Sequence, residues 1–123
     1  MTKGAALHQF FNGFGIPAYT TTSVPDDAVF PWLTYELVTG SIENGENALT
    51  VNLWYYGDSE AIPNAKAQEI ADAIGYSGKI LNADGGFIWI KRGSPWCQNL
   101  RDDTNPNIKR RYLNIIAEYL TLN

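Results

Sequence analysis

"WLTYELVTGSIENGENALTVNLWYYG", residues 32 to 57, decides how this chain folds. Two runs alternate apolar and polar side chains, and between them stands Asn44-Gly45, the dipeptide best suited to a two-residue type I′ turn. The pattern predicts a long β-hairpin with Tyr35 opposite Trp54 and Val38 opposite Val51. Cross-strand pairs of this kind each stabilise a sheet by roughly 0.2 to 1 kcal/mol. In that register one face carries Leu33, Tyr35, Leu37, Trp54 and Tyr56, and the other carries Val38, Leu49, Val51, Leu53 and Tyr55. A hairpin with one wet face alternates cleanly, so two apolar faces require two covers. A helix on each face would supply them, and so would a neighbouring subunit.

Working outward, "TKGAALHQFFNGFG" places Leu7, Phe10, Phe11 and Phe14 at helical spacing, with Gly13, Gly15 and Pro17 as stop signals. "AYTTTSV" is β-prone and edge-like, and "PDDAVFP" is turn-rich and extended, with Pro31 at the beginning of a strand. Beyond the hairpin, Asp58 and Ser59 cap a second helix that holds Pro63 in its first turn. Ile62, Ala65, Lys66, Glu69, Ile70, Ala73 and Ile74 occupy its neighbouring positions, and Gly75 ends it. "KILNADGGFIWIKRG" predicts a second hairpin turning at "NADGG", and "SPWCQNLRDDTNPN" a polar loop longer than most in a compact domain.

The last segment is two-sided in its periodicity. Tyr112, Ile115, Ile116, Tyr119 and Leu120 fit a helix, whereas Leu113, Ile115, Ala117 and Tyr119 fit a strand. β-Branched and aromatic content without a capping signal favours the strand. The expectation is therefore an α+β single domain over residues 1–123, in the order α-β-β-β-α-β-β-β. Its antiparallel sheet consists of two hairpins plus a C-terminal strand, packed against two helices.

Composition narrows the function. At 123 residues the chain is long enough to bury roughly two thirds of its unfolded surface without a staple. Four Trp, seven Tyr and five Phe are many for this length, and flat side chains are favoured both in cores and at interface centres. A net charge of −4 argues against binding nucleic acid, which takes clustered Lys and Arg. One cysteine, Cys97, cannot close an intramolecular disulfide and suits a reducing compartment. His8, Gln9 and Asn12 interrupt any apolar stretch near the start, so no signal peptide is expected, and no run reaches membrane-spanning length.

Catalytic chemistry finds little to work with. His8 and Cys97 are each alone in type, which leaves no histidine cluster or thiolate site to build; His8 is expected as a surface histidine and Cys97 as a small apolar residue beside Trp96. Asp103, Asn105 and Asn107 alternate like the first ligands of a calcium loop. That motif then needs glycine where Ile108 stands and glutamate where Asn114 stands. The pairs Gly13/Gly15 and Gly85/Gly86 lack the full dinucleotide or P-loop pattern. No catalytic, cofactor-binding or metal-ligating residue is assigned, and the chain is not expected to be an enzyme. Lys109, Arg110 and Arg111 form the basic run, expected as a charged strand start that discourages edge pairing, or as an intersubunit seam. Glu36 and Glu118 either pair with such arginines or face a water-filled channel.

"FPWLTYEL" at 30 to 37, the Trp/Tyr-rich strand and helix at 51 to 74, "IKRGSPWCQNLRDD" and "IKRRYLNIIAEYLTL" together resemble the small minor capsid or tail-completion (tail terminator) proteins of long-tailed bacteriophages and prophages. The resemblance runs from Phe30 to Leu120 and rests on aromatic, β-rich motifs. It implies a helix-plus-antiparallel-sheet domain that assembles, commonly as a hexameric ring, on the end of the tail tube. There it would stop growth and offer a face to the head connector. Implied with it are a virion location after assembly in the bacterial cytoplasm, partners in the tail tube and connector, and no cofactor, membrane or sequence-specific nucleic acid. Trp96, Arg101, Arg110 and Arg111 are then the expected contact residues. Replacing Arg110 and Arg111 by alanine is expected to weaken assembly and leave the monomer folded. Another neck or tube component, or a monomeric small-ligand binding module, is the alternative.

Overall fold

A computed structural model describes residues 1–123. The chain runs α1 (Lys3–Phe11), β1 (Ala18–Thr20), β2 (Trp32–Tyr35), a short 3-10 turn (Ile42–Asn44), β3 (Glu46–Tyr56), α2 (Ala61–Ile74), β4 (Lys79–Ala83), β5 (Gly86–Arg101) and β6 (Ile108–Thr121). The α+β class and the order α-β-β-β-α-β-β-β are those the sequence predicts. Thr2 caps α1 by accepting the Ala5 N–H at 3.1 Å, and the Asn12 side chain accepts the Ala18 N–H at 3.1 Å, which ties the helix end to β1. In α2 the Ser59 hydroxyl accepts the Ile62 N–H at 3.2 Å, and Gly75, at φ 79°, ends the helix in a conformation that glycine adopts without steric cost.

Six strands form one sheet in the order β1-β2-β3-β6-β5-β4. β1 and β2 are parallel, joined by a long excursion rather than a hairpin, and every other pair is antiparallel. The C-terminal strand thus lies at the centre, between β3 and β5. Its residues alternate without a break: Arg111, Leu113, Ile115, Ala117, Tyr119 and Thr121 are buried, and the residues between them are half-exposed. Leu7 and Phe11 of α1 and Ile70 and Ile74 of α2 join one core with Leu33, Val51, Leu53, Ile88, Ile90, Leu113 and Ile115. Both helices therefore cover the same side of the sheet, and the other side has no helical layer.

The first hairpin differs from the sequence expectation. Tyr35 pairs with Val51 and Leu33 with Leu53, so the partner of Tyr35 has slipped three positions from 54 to 51. β2 stops after four residues, and residues 36 to 45 form a wide connection in place of a two-residue turn. Asn44 spends its side chain within that connection, accepting the Ser41 N–H at 2.8 Å. An odd slip exchanges the two faces of one strand relative to the other. Here it moves Leu33 and Tyr35 onto the side of Leu49, Val51, Leu53 and Tyr55, all buried, so a single cover suffices. One-sided burial of six apolar side chains outweighs the local preference of an Asn-Gly turn. The buried Tyr119 hydroxyl donates to the Val38 carbonyl and pins the connection to the core, and that burial pushes its pKa up to about 12.

Three further expectations change. The polar loop after Gly93 continues instead as strand: β5 runs to Arg101, with a bulge between Arg92 and Cys97, and pairs with β6 along nearly its whole length. The basic run Lys109-Arg110-Arg111 lies in a central strand and has no edge to protect. The buried stripe of α2 is Pro63, Ala67, Ile70, Ala71 and Ile74, leaving Ile62 60% exposed. The second hairpin is as predicted, with Asp84-Gly85 turning between β4 and β5.

Candidate functional site

The uncovered sheet face is the chain's most distinctive surface. On β2 and β3 it presents Trp32, Thr34, Asn52, Trp54 and Tyr56; on β6 Arg110, Tyr112 and Ile116; on β5 Phe87, Trp89 and Lys91. These side chains are fixed by their neighbours. The Trp54 indole N–H donates to the Thr34 hydroxyl at 2.9 Å, the Arg110 guanidinium lies 5.1 Å from the Trp54 ring centre, and its Nε donates to Asn52 Oδ1 at 2.8 Å. Trp32 and Tyr56 flank Phe30, with ring centres 4.4 Å apart for Phe30 and Trp32 and 5.6 Å for Phe30 and Tyr56. At the other end Lys91 bridges Glu46 at 2.7 Å and Glu118 at 2.8 Å while lying 4.0 Å from the centre of Trp89. The hydrogen bonds that Lys91 donates to the Glu118 and Glu46 carboxylates raise its pKa. Glu118 thus pairs with a lysine, and Glu36 is exposed just past β2.

The four expected contact residues do not share one patch. Arg110 stands on the open face. Arg111, one residue on, points to the covered side because strand neighbours alternate; it is 1% exposed and enclosed by α2. Its guanidinium donates to Glu60 Oε2 at 2.5 Å and to Asn64 Oδ1 at 2.8 Å. The expectation that Arg111 offers its charge to another subunit fails on this burial: the charge is used inside the chain. Trp96 is half-buried, with its indole N–H donating to the Ala67 carbonyl of α2 at 3.3 Å. Arg101 is exposed at the end of β5 and shares a hollow of about 430 Å³ with Lys109, Arg111, Glu60 and Asp102. Asp102 is committed to its own turn, and the hydrogen bonds from Thr104 and Asn105 hold its pKa low.

The hydrogen bond from Arg111 holds the Glu60 carboxyl below its ordinary 4.5. A folded-state pKa below the unfolded one means the ionised form favours the native chain. That contribution is complete above the ordinary value and disappears as pH falls through the folded one. Glu60→Gln should therefore be less stable than the natural chain at neutral pH, with the two denaturation midpoints converging as pH falls below the carboxyl's ordinary 4.5. Midpoints that keep a constant separation would show that the ion pair does not support the fold.

The remaining titratable groups are dispersed. His8 Nδ1 lies 3.3 Å from the hydroxyl of buried Tyr35, whose pKa burial raises, and burial also raises the Cys97 thiol. No three His, Cys, Asp or Glu side chains converge on a point that could hold a metal ion. What the open face can do is make contact: flat rings, two anchored cations and few mobile parts. The sequence signal for it was the alternation Trp32/Thr34, Asn52/Trp54/Tyr56 and Trp89/Lys91, once the register is known.

No protein-family model, curated protein or solved structure matches this chain.

Proposed function

We propose that this chain is a structural component of a long-tailed phage virion, a tail-terminator or head–tail joining subunit that works as an oligomeric ring. The observation that carries the reading is the one-sided sheet: helices seal one face, while the other holds Trp32, Trp54, Tyr56, Trp89 and two anchored cations toward the outside. Aromatic residues and arginine are the types most enriched where protein surfaces meet. An end-cap needs a fixed shape and adhesive faces rather than a reactive group. The resemblance of "FPWLTYEL", "IKRGSPWCQNLRDD" and "IKRRYLNIIAEYLTL" to tail-completion proteins supplies the particular role. In it the ring stops tube growth and meets the head connector, and the net charge of −4 leaves passing DNA without attraction to the wall.

Deleting the reading frame from the phage or prophage that carries it tests this directly. Electron micrographs should then show tails of uncontrolled length separated from filled heads, with normal particles restored when the chain is supplied in trans. Normal joined tails after deletion would remove the assignment. Quantifying the chain in purified particles separates a terminator, present as one ring, from a tube protein present in many rings.

A further inference from the structure

Tyr76 is 98% exposed, a flat ring projecting wholly into solvent between α2 and β4. Its stem is nonetheless held in place. Gly75 and Gly78 turn the chain at φ 79° and 89°, the Gly75 N–H donates to the Ala71 carbonyl at 2.9 Å, and the Trp89 indole N–H donates to the Ser77 carbonyl at 3.0 Å. A ring presented on a fixed stem loses little conformational freedom when a partner covers it. This knob stands at the β4 edge of the sheet. Beyond the opposite half, next to β1, Trp32, Trp54, Arg110 and Val24 line a hollow of about 360 Å³, near the small end of ligand-sized clefts of roughly 300–1,000 Å³. Trp, Tyr and Arg are the side chains that dominate the energetics of interfaces, and the knob and hollow together contain all three.

Charges of both signs stand beside the hollow and beside the knob. Arg110, at the hollow, makes no ion pair with a carboxylate of its own chain, and the loop that carries Val24 also carries exposed Asp26 and Asp27. Near the knob are exposed Asp72, the C-terminal end of α2 with its partial negative charge, and exposed Lys79. Arg110 can meet Asp72 and the helix end while Asp26 or Asp27 meets Lys79. Because the knob stands at the β4 edge and the hollow lies on the open face over β2, β3 and β6, each copy can use its knob on one neighbour and its hollow on another. A contact of that heterologous kind makes a ring when the rotation between copies closes, where an isologous one stops at a dimer.

We propose, building on the ring reading above, that Tyr76 of one copy seats in the hollow beside Trp54 and Arg110 of a second copy, and that this repeated contact joins the ring. Native mass spectrometry and light scattering of the purified chain over a concentration series test it. The natural chain should assemble, and Tyr76→Ala, which removes only solvent-exposed atoms and should retain the natural circular dichroism, should self-associate about 30-fold more weakly or not at all. Arg110→Glu should fail likewise from the other side. Mixed together, the two variants should form a one-to-one dimer, since the first keeps the hollow and the second keeps the knob. Undiminished assembly of Tyr76→Ala, an inert mixture of variants, or a natural chain monomeric at every concentration each overturns the contact. The tail assignment is judged separately, by particle morphology after deletion.

Discussion

Arg111→Ala is expected to lower the unfolding free energy by about 3 kcal/mol, whereas Arg110→Ala, its neighbour in sequence, costs about 1 kcal/mol or less. Arg111 faces Leu53 across the ladder and is 1% exposed, so truncation empties a site that its stem fills and leaves the Asn64 amide oxygen without its donor. Arg110 is half-exposed, and it loses a ring contact and one hydrogen bond that water can replace. Arg111→Met separates the two contributions: it keeps most of the stem and removes the charge, and should recover much of the loss because a buried ion pair is often no better than packed hydrocarbon. Urea denaturation of the three variants provides the measurement. Equal, mild effects at both arginines would contradict the burial of Arg111. The expectation that both could be replaced without harm to the monomer is therefore revised for Arg111, whose side chain is buried.

A second large effect distinguishes the observed strand register from the tight hairpin. Leu33→Ala should cost about 2–5 kcal/mol, since Leu33 is 0% exposed and packed opposite Leu53, and Leu37→Ala should stay within about 0.5 kcal/mol, since Leu37 is 46% exposed beyond the end of β2. In the register that an Asn-Gly turn dictates, the two leucines share a face and should respond alike. Comparable losses at both positions would bring that register back. Thermal or chemical unfolding of the two variants decides between them.

Much of the architecture was legible because it is written in short-range periodicity. Leu7 and Phe11 at i and i+4, Ser59 ahead of Pro63, Gly75 at a helix end and "NADGG" between two apolar runs each produce their element with neighbours a few residues away. The alternation in "RRYLNIIAEYLT" marks a strand, and from it the opposite orientation of Arg110 and Arg111 already follows. Less legible were the features that depend on distant partners. The fourteen-residue stretch after Gly93 read as a loop because its first part becomes strand through pairing with distant β6, with Cys97 opposite Leu113 and Gln98 opposite Tyr112. The candidate face was hidden for the same reason: Trp54 and Arg110 come together through ladder pairing, and Trp89, Lys91, Glu118 and Glu46 through two ladders at once.

Taken alone, then, the amino-acid order determined the class of fold, the succession of helices and strands, the one-domain organisation and the unusual aromatic content, because each depends on local pattern or on composition. Tertiary structure decided the placement of β6 in the middle of the sheet, the three-position slip of the first hairpin, the gathering of both helices on one side and the resulting bare face. The physical reason is that backbone hydrogen bonds can be satisfied in several registers at similar cost. Only the joint burial of Leu33, Tyr35, Leu49, Val51, Leu53 and Tyr55 with residues distant along the chain selects one of them.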